Sequence, residues 1–181
     1  MTKTIRFGAA GAALVAALGM TTAAHAQDTA TADARAEVLD ALVLTLQTGT
    51  ALDFGAIVVN GADTLTLTPA NTMDCVAKQV VCSGTTDVPD FTITGTPSKA
   101  VTINLPTTSI DLVLQGSSGV NANEVMQLTA VSSSQNGASG PETTLDTNGD
   151  GAFSVGGTLN IGPNQDAGIY EATFSVSVEY S

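Results

Sequence analysis

Histidine is almost missing from this chain. Its 181 residues hold one, His25, and no tryptophan; Lys and Arg number five against seventeen Asp and Glu, and cysteine appears twice. Without an imidazole beyond residue 25, the Ser-His and Cys-His pairs of common hydrolases cannot be assembled there, and neither Lys78 nor Lys99 lies in a Ser-x-x-Lys motif. Carboxylate pairs suited to glycoside hydrolysis are easy to propose among so many acids, but no spacing singles one out. The shortage of positive charge argues against nucleic acid and anionic lipid as partners. The lack of Trp removes the best stacking platform for a sugar. What polarity remains comes largely from Thr, Ser, Asn and Gly, which suit strands and turns. These shortages together describe a protein that is not an enzyme.

The N-terminus says where the chain goes. Lys3 and Arg6 precede an apolar run from Phe7 to Met20, and Ala24-His25-Ala26 supplies the small-x-small pattern of a signal peptidase site. Residues 1–26 are therefore expected to be a signal peptide, leaving a mature chain from Gln27 with no stable membrane insertion. Export through the inner membrane would deliver it to the periplasm, the cell surface or the extracellular space. No cysteine sits at the cleavage point, so no lipid anchor is expected. In the mature chain Arg35, Lys78 and Lys99 face all seventeen acids, a formal charge of −14. Cys75 and Cys82 would meet an oxidising compartment and form a disulfide, worth about 2.5 kcal/mol for so short a loop on the chain-entropy model.

Period-two alternation dominates the mature chain. At the C-terminus Tyr170, Ala172, Phe174, Val176, Val178 and Tyr180 alternate with polar residues, the pattern of a half-buried strand, here a long one from Gly168 to Ser181. Near the mature start Ala30, Ala32, Ala34, Ala36 and Val38 alternate with Thr31, Asp33, Arg35 and Glu37. Alanine favours helix, but a helix would scatter these alanines around its circumference, so residues 27–38 are read as an N-terminal strand. Between them, strands are expected at 42–46, 56–59, 64–68, 91–94, 100–105, 110–114, 125–131, 152–155 and 158–161. Asn60-Gly61 reads as a hairpin turn, and residues 70–89 and 132–141 read as loops. Many short strands with frequent turn signals argue for one all-β domain over residues 39–181, an antiparallel β-sandwich.

The terminal strand is similar to the C-terminal signature of chaperone-usher pilins and spore-coat U-like proteins, with Gly168 fourteenth from the end and Tyr180 penultimate. The stretches TATADARAEVLDALVLTLQTGTALDFG, FTITGTPSKAVTINLP and VGGTLNIGPNQDAGIYEATFSVSVEYS more closely resemble the bacterial domain of unknown function 4402. The pilin likeness implies an immunoglobulin-like sandwich that lacks one strand and receives the N-terminal extension of another subunit, with a periplasmic chaperone as a further partner. On that resemblance Ala30, Ala32, Ala34, Ala36 and Val38 are donor-strand candidates. Gly168, Tyr170, Phe174, Val176, Val178 and Tyr180 are acceptor-strand candidates. Pairing of residues 29–38 within their own domain is the competing reading.

One motif suits a cation. Asp146, Asn148 and Asp150, followed by Gly151, fit the first half of a calcium loop, but the twelfth position is Gly157 instead of Glu. A hairpin tip explains the same residues. The expectation is a structural or interaction protein that self-associates or joins related subunits, with no cofactor unless calcium. A monomeric, calcium-assisted adhesion or ligand-binding module is the alternative.

Overall fold

A computed structural model describes residues 29–76, 78–135 and 138–181. The expected signal peptide and its cleavage site lie outside the described residues. The strands, in chain order, are β1 (Val43–Leu46), β2 (Ala56–Val59), β3 (Asp63–Leu67), β4 (Val80–Ser83), β5 (Asp90–Thr94), β6 (Ala100–Asn104) and β7 (Ile110–Leu114). After a 3-10 turn at Ala122–Glu124 come β8 (Val125–Gln135), β9 (Ala138–Ser139), β10 (Glu142–Thr144), β11 (Asp150–Ile161), β12 (Tyr170–Glu171) and β13 (Ser177–Tyr180).

The chain is all-β and every strand pair is antiparallel. One sheet runs β1-β5-β11-β8-β7-β12, with β3 also on β11 and β9 on β8. A second runs β10-β6-β13, and β2 pairs with β4 alone. The long central strand β11 explains the arrangement. Its first half pairs with β5 and its second half with β3, while β8 lies along its other edge. Residues 152–155 and 158–161, expected as two strands, are thus one. Gly156-Gly157 stays inside it where the register with β8 shifts, a bulge instead of a turn.

Two apolar clusters fill the interior. Ile93, Phe153 and Val155 of the large sheet meet Val101 and Ile103 of β6 and the buried Leu145, with Val178 and Tyr180 packed against them. The other cluster gathers Leu65, Leu67, Leu128 and Leu159 with Phe54 and Val80, and the Cys75–Cys82 disulfide packs on it. The expected disulfide is present.

Several sequence expectations change. Residues 70–89 are not all loop, because Val80–Ser83 pairs residue for residue with Ala56–Val59 and Asp87 bridges to Asp53. Asn60-Gly61 joins no hairpin, since β2 and β3 belong to different sheets, and neither residue has a positive φ. The expected 132–141 loop begins as strand, with β8 running to Gln135. No strand forms over residues 29–38, and the terminal strand is interrupted over Ala172–Val176.

Candidate functional site

The interrupted terminal strand lies at the centre of the site. Gly168, with φ of +155°, brings the chain in where a side chain would strike Leu114, and β12 then pairs with β7 through Tyr170↔Leu114 and Glu171↔Val113. After five residues without ladder pairing the chain rejoins a different sheet, β13 pairing with β6 from Ser177↔Asn104 to Tyr180↔Val101. No turn or bend interrupts this passage. Phe174 in its middle packs on both apolar clusters. On the far side from β6 and β7, the terminal segment has no strand neighbour among the described residues.

Strand β1 also has an edge without a strand partner among the described residues, and Leu44 of β1 packs on the same apolar cluster as the terminal segment. Strand β1 pairs with β5 on one side only, and its Val43 and Leu46 are about half exposed. The two edges run in opposite directions. Asp40, just before β1, meets Tyr180 near the end of the chain, whereas Ala51–Phe54, beyond β1, share a groove with Ile169–Phe174. That groove has a volume of about 710 Å³, and its lining mixes Leu52, Phe54, Leu112, Leu128, Tyr170 and Phe174 with the polar Asp53, Glu171 and Thr173. Ile169, 60% exposed, stands on its rim. Exposed edges invite strand pairing, and this one has apolar side chains beneath it.

The two tyrosines hold the ends. The Tyr170 hydroxyl lies 2.6 Å from the Asn123 carbonyl and 2.8 Å from that of Asp166, sharing its proton between them, and burial pushes its pKa above the ordinary tyrosine value. The Tyr180 hydroxyl accepts the Thr96 N–H at 2.8 Å and donates to the Asp40 carbonyl at 2.8 Å. Asp40 N–H donates to Thr96 Oγ1 at 2.7 Å, and Lys99 Nζ pairs with Glu37 at 2.5 Å. Thus the root of the N-terminal arm is held by the turn after β5. Nothing in the sequence singled out Asp40, Thr96 or Lys99, because their partners are distant along the chain.

The structure places the sequence candidates unequally. Tyr170, Phe174, Val176, Val178 and Tyr180 all turn toward the clusters, as the alternation requires, and Gly168 sets their entry. Ala30, Ala32, Ala34, Ala36 and Val38 are exposed, Val38 to 93%. Asp146, Asn148 and Asp150 do share a turn. Its carboxylate is occupied internally, since Asp146 Oδ1 accepts the N–H of Asn148 at 2.7 Å and of Asp150 at 2.9 Å. Those backbone donors, Asp150 first, hold the Asp146 pKa below the usual carboxylate range. No group of three or more metal-ligating side chains occurs among the described residues.

A family profile described as a domain of unknown function, DUF4402, matches residues 44–180, which take in the terminal segment, the groove and nearly all of β1. The chain belongs to the DUF4402 family. Among curated proteins none matches it. The family match begins after the exposed arm, so in this DUF4402 chain residues 29–38 stand outside the matched domain.

Proposed function

We propose that this chain is an exported, non-catalytic structural subunit of the cell surface, pilin-like or coat-like. In this reading it is an immunoglobulin-like sandwich short of one strand, and the missing strand is residues 29–38 of another copy. One observation carries the reading: the terminal segment and β1 each leave an edge without a strand partner among the described residues, and the terminal segment borders a groove at Ile169–Phe174, in a chain that also has an exposed, alternating segment with no strand of its own. Strand addition supplies what each lacks, backbone partners for the edges and a buried face for the alternate side chains. A periplasmic chaperone would cover the same edges before assembly. The disulfide fits export.

The donor is rich in alanine. At about 25 cal/mol per Å² four alanines contribute little, so affinity rests more on backbone hydrogen bonds than in a donor of leucines. Size-exclusion chromatography with light scattering, on periplasmically secreted chains starting at Gln27 and at Leu39, tests the reading. Oligomers from the longer chain that vanish in the shorter support it. A longer chain that stays monomeric at all concentrations overturns it.

A further inference from the structure

We infer a second site, on the outer face of the large sheet where β1, β5 and β11 meet, that binds a neutral saccharide through hydrogen bonds, whether or not strands are exchanged. Alternation builds it. Ile93, Phe153 and Val155 turn inward to their cluster, so Asp90, Thr92, Ala152 and Ser154 project from the opposite face, Asp90 directly across from Ser154 and Thr92 across from Ala152. The turn after β1 walls this floor on one side. Gln47 N–H donates to the Asp90 carbonyl at 2.8 Å, and Thr50 Oγ1 accepts the Asp90 N–H at 3.2 Å while donating to the Gln47 carbonyl at 2.9 Å. The result is a fixed hollow of about 580 Å³, within the roughly 300–1,000 Å³ of small-molecule sites. It shares no lining residue with the groove at Ile169–Phe174.

The lining selects the chemistry. Gln47, Thr48, Asp90, Thr92 and Ser154 supply polar groups, no Lys or Arg lines the hollow, and its apolar part is Ala152 with the stacked Phe91–Phe153 pair, ring centroids 5.0 Å apart. Ser154 Oγ donates to Asp90 Oδ1, which leaves Oδ2 as an acceptor, and the Gln47 amide and the Thr48 and Thr92 hydroxyls bond to no other described residue. An anion calls for positive donors, and a calcium ion for several oxygen ligands. Here one carboxylate stands beside neutral groups that both donate and accept. Sugar hydroxyls also donate and accept, so they complement that set. Acidic sugars are disfavoured by Asp90 and by the formal charge of −14 on the mature chain. Without a Trp platform the affinity rests on hydrogen bonds, and a dissociation constant of about 1 mM is expected for one site. Copies repeated on a surface would add avidity. Strands β5 and β11 already have neighbours on both sides, so pairing at the free edge of β1 does not consume these positions.

Chemical-shift mapping on the isotopically labelled mature chain tests the site, with cellobiose, maltose, lactose and N,N′-diacetylchitobiose each titrated to about 20 mM. At least one of these sugars should move the amides of residues 47–50, 90–92 and 152–154, with half-saturation at about 1 mM, and glucuronate and spermidine should move them less. Asp90→Asn and, separately, Thr92→Val should each weaken that binding about fivefold or more. Thr92→Val keeps a β-branched side chain of the same shape on the strand, so it reports on the hydroxyl with the fold retained. The inference is overturned by an absence of shifts with all four sugars, by shifts confined to other parts of the chain, or by tighter binding of glucuronate or spermidine than of any sugar. Binding that survives either substitution unchanged also overturns it.

Discussion

Residues 30–38 and 170–180 carry the same period-two pattern, and the structure treats them differently. The terminal segment is pinned by aromatic and branched side chains on two apolar clusters, so it holds its course even across Ala172–Val176, where ladder pairing lapses. The arm offers mostly methyl groups and forms no strand. Alternation says which face of a strand would be buried; it does not supply the burial. That depends on side-chain area and on a neighbour with a free edge.

The sharpest way to break this contrast is to weaken one segment at a time. Phe174→Ala should cost about 2–4 kcal/mol in urea unfolding, since Phe174 serves both clusters, whereas Ala34→Asp should leave the unfolding of the isolated subunit unchanged within about 0.5 kcal/mol. Equal losses would mean the arm is anchored as firmly as the terminal segment. Next, Tyr180→Phe removes a hydroxyl that serves both Thr96 and Asp40, and should cost about 1–2 kcal/mol with faster amide exchange at those two positions. Unchanged exchange would separate the arm's root from the terminal strand.

Acid should loosen the Asp146 turn and the start of β3 at Asp63. Asp146 is held low by the N–H groups of Asp150 and Asn148, and Asp63 by those of Gln79 and Thr64. Because both folded values lie below the unfolded one, their stabilisation is complete above the unfolded pKa, near 4, and is lost as pH falls below it. The doubly substituted chain, Asp146→Asn with Asp63→Asn, should show a shallower fall in melting temperature between pH 5 and 3 than the parent; a fall of the same steepness would assign the acid sensitivity elsewhere. The smallest effect should come from Lys99→Ala. Its pair with Glu37 is well exposed, so thermal unfolding should change by less than about 0.5 kcal/mol. A larger loss would make that ion pair a principal anchor of the arm.

Much of the fold was legible because its signals are local. Strands at 91–94, 100–105 and 110–114 emerged within a residue of the observed bounds, since alternation and flanking turn residues act over a few positions. The disulfide followed from two cysteines in a short chain expected to be exported. Strand β4 was missed because Val80-Val81-Cys82-Ser83 is short and does not alternate, and its strand character comes from pairing with β2. The split of 152–161 failed for a related reason, as Gly156-Gly157 looks like a turn until β5, β3 and β8 hold it extended on both sides. In the site, Phe174 and Tyr180 could be named from the pattern, whereas Leu52, Leu112 and Leu128 could not be assigned to one groove.

By itself the sequence determined the all-β class, the inward faces of the strands and the single cross-link, because each depends on residue chemistry over short spans. Only the tertiary structure decided which strands are neighbours, that the terminal segment leaves one sheet for another, and that its first half shares an open groove with Ala51–Phe54. Those outcomes depend on contacts between residues as far apart as Asp40 and Tyr180, and no local pattern records which distant edge a strand will find.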